Sequence, residues 1–131
     1  EAEHEVPFSV TEEIPNFETC KDSVGQAAKD CFNLNINKHI IKNFNYPKEA
    51  EKANLQGKVY VIFTINKSGD TEGFKVKGPK NGKLLEDEAL RIVKLLPKFI
   101  PGKQRGKPVN VQYALPIIFK LEDTIKNEKN K

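Results

Sequence analysis

An α+β fold is predicted: a three-stranded antiparallel sheet with helices packed on one face, plus an extended N-terminal segment and an extra helix. Three observations predict it. Two alternating apolar runs, Lys58 to Asn66 and Thr71 to Lys77, are joined by a turn and read as a hairpin. Apolar residues recur at helical spacing from Leu85 to Leu96. A long alternating run then closes the chain, from Val109 to Leu121. The order helix, strand, strand, helix, strand buries each apolar stripe if the helices share one face of the sheet.

Residues 1 to 22 read as extended. Val6, Phe8 and Val10 alternate with Pro7 and Ser9, but Pro7 and Pro15 argue against a central strand and leave an edge strand or a strap. A helix is expected from Ser23, because Ser23 to Gln26 has capping-box form. Its apolar positions are Ala27, Cys31, Leu34, Ile36, Ile40, Ile41 and Phe44, and Asn33, Asn35 and Asn37 allow a break in the middle. Pro47 disfavours α geometry at Tyr46 and suits the first position of a second helix, Lys48 to Leu55, with Gly57 as a left-handed cap. In the hairpin, Val59, Val61, Phe63 and Ile65 share one face and Tyr60, Ile62 and Thr64 the other. Gly69 supplies the positive φ of the turn. The buried stripe of the next helix is Leu85, Ala89, Ile92, Val93 and Leu96; Glu86, Asp87 and Glu88 read as its solvated first turn, and Pro97 stops it. The domain is expected over residues 23 to 121, with a polar tail from 122 to 131.

Composition narrows the function classes. The chain has 131 residues, 37% hydrophobic and 31% charged, which suits one domain with a modest core and a solvated surface. No apolar run approaches the roughly 18 to 20 residues that span a bilayer. The net charge of +4 is mild, and acidic residues are interspersed with basic ones, unlike the segregated excess of a nucleic-acid binder. The acidic opening residues show no signal-peptide pattern, and the absence of Met suggests a fragment or mature form of something longer. His39 reads as a surface residue, and no metal-ligand spacing, nucleophile elbow or phosphate loop is present. Neither an enzyme nor a cofactor is expected. Cys20 and Cys31 either pair, stabilising by roughly 3 kcal/mol through loop-closure entropy, or remain two free thiols with one buried on a helix. Lys98, Lys103, Arg105 and Lys107 form either a solvated loop or a basic flank to a docking edge.

The last strand is expected to be an edge. It is long against the usual five or six residues or so, and Pro116 lies well inside it. Proline has no N–H for a ladder and is confined to edges or bulges. In an antiparallel ladder successive residues point their backbone groups to alternate sides, so an outward Pro116 turns Asn110, Gln112, Ala114 and Ile118 outward as well. A long open edge invites a guest strand. Cover by the N-terminal segment, or by a second copy through strand exchange, is the alternative.

These residues also carry a resemblance. Tyr46-Pro47-Lys48-Glu49-Ala50, then Gly57-Lys58-Val59, then Pro97-Lys98-Phe99-Ile100-Pro101-Gly102-Lys103-Gln104 and Gly106-Lys107-Pro108-Val109 resemble the C-terminal domain of TonB energy transducers, over about 46 to 121. Cys20 after Ile14-Pro15-Asn16-Phe17, with a second cysteine in a following helix, looks like the Bacteroidota-type version. The resemblance implies a periplasmic domain, anchored to the inner membrane by an N-terminal helix absent from this chain and coupled to an ExbB–ExbD complex. It implies that the last strand pairs with the TonB box peptide of outer-membrane receptors for siderophore, cobalamin or glycan uptake. Carried over, the partner-binding residues are Val109, Asn110, Val111, Gln112, Tyr113, Ala114 and Leu115, with Asn43, Phe44, Asn45 and Tyr46. The enterobacterial pattern has a Gln-Pro before the Tyr-Pro and no proline matching Pro116, so this chain departs from it twice. A related tether, sensor or secretion component with a TonB- or TolA-like domain is the second reading; RNA binding lacks both a GxxG loop and an aromatic platform.

Overall fold

The computed structural model describes residues 5–121. The elements run β1 (Glu5–Pro7), α1 (Gly25–Asn43), α2 (Lys48–Lys52), β2 (Gly57–Ile65), β3 (Thr71–Lys77), α3 (Lys83–Lys94), β4 (Gly102–Gln104) and β5 (Lys107–Phe119). Short 3-10 turns at Phe8–Val10 and Glu18–Cys20 shape the segment between β1 and α1. The expected tail from 122 lies outside the described residues.

The sheet order is β1-β5-β2-β3, with β4 also paired to β5. β2 is antiparallel to both neighbours, and β1 is parallel to β5. The sheet is therefore mixed and five-stranded, not three-stranded and antiparallel. Of the two extra strands, β1 falls in the segment read as an edge strand or a strap, and β4 has only three residues, too few for a period-two pattern to register. One face carries the core. Val59, Val61, Phe63 and Ile65 of β2 meet Leu85, Ala89, Ile92 and Val93 of α3, with Leu115, Ile117 and Phe119 from β5.

The helices differ from expectation in local ways. α1 passes through its asparagines without a break: Asn35 donates back to the Cys31 carbonyl at 2.9 Å, and Asn33 and Asn37 face out. Its buried stripe is Ala28, Phe32 and Ile36, so Ala27, Leu34 and Ile41 lie on the exposed side. Ser23 is not the cap. Val24 holds that position without a side-chain bond, and Gly25 turns into the helix at φ +59. α2 ends at Lys52, and Asn54, not Gly57, takes the left-handed position. Gly69 has φ +90 as expected, and the Phe99 carbonyl occupies the space that a Cβ there would need. Glu88, expected in the solvated first turn of α3, lies beyond that turn, is turned inward and is 9% exposed.

Residues 8 to 20 form part of the same core. Phe32 of α1 is fully buried and meets Phe8, Phe17, Phe99 and Tyr113, with ring centroids 4.8, 5.7, 6.2 and 5.2 Å away. Asn16 donates to the Ala28 carbonyl at 2.9 Å, and Glu13 and Asn16 bridge to Lys103 and Ile100. Cys20 and Cys31 form a disulfide that ties the second 3-10 turn to α1, which sets aside two free thiols.

Two predictions follow from this packing. Reduction of Cys20–Cys31, which closes a short loop of separation 11, should lower unfolding stability by about 3 kcal/mol in urea titrations. An unchanged midpoint after reduction would show that the strap holds without the bond. Burial raises the Tyr113 pKa above its ordinary value. The unfolded phenol therefore loses its proton first as pH climbs past about 10, and stability falls until the folded group also ionises. Tyr113→Phe should flatten this alkaline decline relative to wild type, read by denaturant unfolding at rising pH.

Candidate functional site

β5 has 13 residues and β2 has 9. Their ladder runs from Gly57↔Phe119 to Ile65↔Val111 with no register shift, and Pro116 stands opposite Tyr60. A proline inside an uninterrupted ladder must turn its missing donor away from the partner strand. Alternation then directs the backbone groups of Asn110, Gln112, Ala114, Pro116 and Ile118 to the side away from β2.

Val109, whose backbone groups by the same alternation face the β2 side, pairs with Gly102 in the hairpin to β4. Part of the outward row is itself occupied. β1 lies along Asn110, Val111 and Gln112, opposite Glu5, Val6 and Pro7. The Glu5 carboxylate accepts from the buried Thr64 hydroxyl and from the Gln112 amide. The chain then leaves the edge: Phe8 turns onto Tyr113 at 4.8 Å. Beyond Gln112, no described strand pairs with the outer side of β5. The edge expected to be open from Asn110 is thus covered as far as Gln112 and open from Ala114 to Phe119.

The second group of expected residues sits at the open end. The Phe44 and Tyr46 rings lie 5.3 and 5.7 Å from Phe119. Their segment is held by α3. Arg91 donates to the Asn43 carbonyl at 2.6 Å and to both oxygens of Glu88, and Glu88 accepts the Asn45 N–H at 2.9 Å. The Tyr46 hydroxyl donates to the Leu55 carbonyl. Its pKa is raised, chiefly by burial and then by Glu51.

The expected site residues therefore separate. Ala114 is exposed at the edge, and Leu115 is buried beneath it. Val111 is buried, the Asn110 side chain accepts the Lys67 N–H at 2.9 Å, and Tyr113 belongs to the aromatic core. Pro116 and Ile118 were expected on the outward row but not among the partner-binding residues, and Phe119 was expected in neither. The signal for Ile118 was an isoleucine at an even, outward position, and it is 63% exposed. Among the described residues no group of three or more His, Cys, Asp or Glu could hold a metal ion, and no helix is long and apolar enough to cross a membrane.

Comparison with known proteins agrees with this architecture. The family model for the Gram-negative bacterial TonB protein C-terminal region matches residues 42–121, more than half of the chain. Protein TonB of Campylobacter coli is 28% identical over 99 residues, 76% of this chain and 41% of that protein. Protein TonB of Helicobacter pylori is 28% identical over 92 residues, 70% and 31% respectively. The chain spans less than half the length of these curated relatives. The solution structure of the Helicobacter pylori TonB C-terminal domain superposes with a TM-score of 0.53 at 27% identity, covering 70% of this chain and 82% of that one. These relatives give the Bacteroidota version no support. An α+β sheet whose long last strand is open beyond β1, the Tyr-Pro segment docked beside it and a match over 42–121 lead to one assignment: the chain belongs to the Gram-negative bacterial TonB protein C-terminal family.

Proposed function

We propose that this domain docks outer-membrane TonB-dependent receptors from the periplasm, pairing their TonB box with β5 by strand addition. The whole transducer, anchored in the inner membrane and driven by an ExbB–ExbD complex, then pulls on the receptor to admit its cargo. One observation carries the reading: the outer side of β5 is unpaired from Ala114 to Phe119 among the described residues, with Phe44 and Tyr46 packed at its end. Main-chain groups supply affinity in strand addition, and pockets for alternate side chains supply specificity. Ala114 and Ile118 offer a donor and an acceptor each, and Pro116 an acceptor alone.

Peptides from receptor N-termini, titrated into labelled protein, should shift the amides of Ala114, Leu115, Ile117 and Ile118 first. No shift there with any receptor peptide would end the proposal.

β1 occupies the adjoining stretch of the same row and is only three residues long, so a guest strand competes with it for Gln112. Phe8, packed on Phe32 and Tyr113, stays behind as the anchor. Deleting residues 1–7 should lengthen the open edge and tighten receptor-peptide binding by about tenfold, the equivalent of one or two further backbone hydrogen bonds. Weaker binding after deletion would mean that β1 supports the site instead.

A further inference from the structure

The sheet face opposite the helices is a second surface, continuous with the open edge. Across it the outward side chains fall into rows fixed by register. Lys77, Tyr60 and Pro116 form one row, Lys75, Ile62 and Ala114 the next, and Lys58 stands beside Ile118. Tyr60 is 39% exposed, and the Lys58 ammonium lies 5.6 Å from the centre of its ring. A groove of about 420 Å³ opens here, lined by Lys58, Tyr60, Ile62, Lys77, Gly78 and Pro79. Its Pro79 wall is preformed. Gly57 and Gly82 pack so closely that a Cβ on either would approach the proline ring to 2.8 Å.

The charge on this face is sorted. Lys58, Lys75 and Lys77 surround the groove, and none of its lining residues is acidic. On the strands the acidic groups, Glu72 and Glu5, sit at the Thr64 end of the face, and the Glu86 carboxylate at the other end is engaged by the Gly78 N–H at 2.9 Å. A ligand for the groove thus needs an apolar side chain to lie against Tyr60 and Pro79, flanked by carboxylates. A nucleic acid would call for aromatic stacking positions repeated along a basic track. Among the described residues this face has one exposed aromatic ring, Tyr60.

We propose that the outer sheet face binds an acidic peptide segment that places an apolar side chain between Tyr60 and Pro79 and its carboxylates on Lys58 and Lys77. This rests on the docking reading: the segment is the part of the partner that flanks the strand paired to β5. Strands are about 4.8 Å apart, so β2 lies two strand spacings from the guest position and the groove, between β2 and the end of β3, two to three, roughly 10 to 14 Å. About three to four extended residues outside the paired segment span that distance.

The test uses two blocked synthetic peptides, Asp-Glu-Leu-Phe-Asp-Glu and Lys-Lys-Leu-Phe-Lys-Lys, titrated into the labelled chain. The acidic peptide should shift Tyr60, Ile62, Lys77 and Gly78, bind more weakly as salt rises, and lose about tenfold affinity in the K58E/K77E variant. If that variant misfolds, K58Q/K77Q is read instead, with about a threefold loss expected. Equal binding of both peptides, or an acidic peptide unaffected by either variant, would overturn the proposal. So would shifts of these residues by phosphatidylglycerol vesicles but not by the acidic peptide. The docking reading is judged separately, by receptor peptides at Ala114 to Ile118. Shifts there with a silent groove sink this proposal alone; shifts in the groove with a silent edge sink the docking reading.

Discussion

The nine-pair ladder between β2 and β5 is the interaction on which the rest of the structure depends. It places β2 centrally, so its odd side chains meet α3 and the aromatic cluster on one face while its even side chains stay outward. It also fixes which backbone groups remain unused. Pro116 cannot donate, so an uninterrupted ladder is compatible with only one phase, and that phase decides the outward row on β5. A single imino acid thereby does what a bulge or a charged edge does elsewhere, without breaking the register.

The segment before the family match alters how that edge is presented. Residues 8 to 20 contribute Phe8 and Phe17 to the cluster around Phe32 and are tied down by the Cys20–Cys31 bond. This enlarges the core of a small domain, where buried area per residue is scarce. The same segment delivers β1 to the edge and covers the Asn110–Gln112 stretch. Stability and edge protection come from one strap, and its cost is a shorter open strand.

Much of this was legible in the sequence. The α3 stripe of Leu85, Ala89, Ile92, Val93 and Leu96 was readable because a period of 3.6 over three turns leaves little ambiguity. The β5 alternation and the consequence of Pro116 were readable for the same kind of reason. The α1 face was not. Ile36 was expected, but Ala27, Cys31 and Leu34 fit a helical period as well as Ala28 and Phe32 do, and only the position of the Phe99 and Tyr113 rings selects the second pair. β1 was legible only as an alternative, an edge strand or strap over the last strand, because its register is fixed by tertiary contacts of Glu5 and Phe8 and not by any local pattern. Glu88 looked like one more solvated acid, since its partners, Arg91 and the Asn45 amide, meet it only when α3 docks on the segment after α1.

The open stretch is short enough that backbone pairing alone would bind weakly. Ala114, Pro116 and Ile118 present five groups, each worth about 1 kcal/mol net when bonded. Association itself costs roughly 4 to 15 kcal/mol. Backbone bonds of that number leave little surplus, so a guest that binds at useful affinity must add side-chain contacts. Two surfaces adjoin the edge to receive them. Below the sheet, Phe44 and Tyr46 border Phe119. Above it, Ile118 leads toward Tyr60 and its lysines. A strand seated on β5 projects alternate side chains to these two faces. Specificity would then reside in which residues the guest presents above and below, while the backbone row, indifferent to sequence, sets only where it lies.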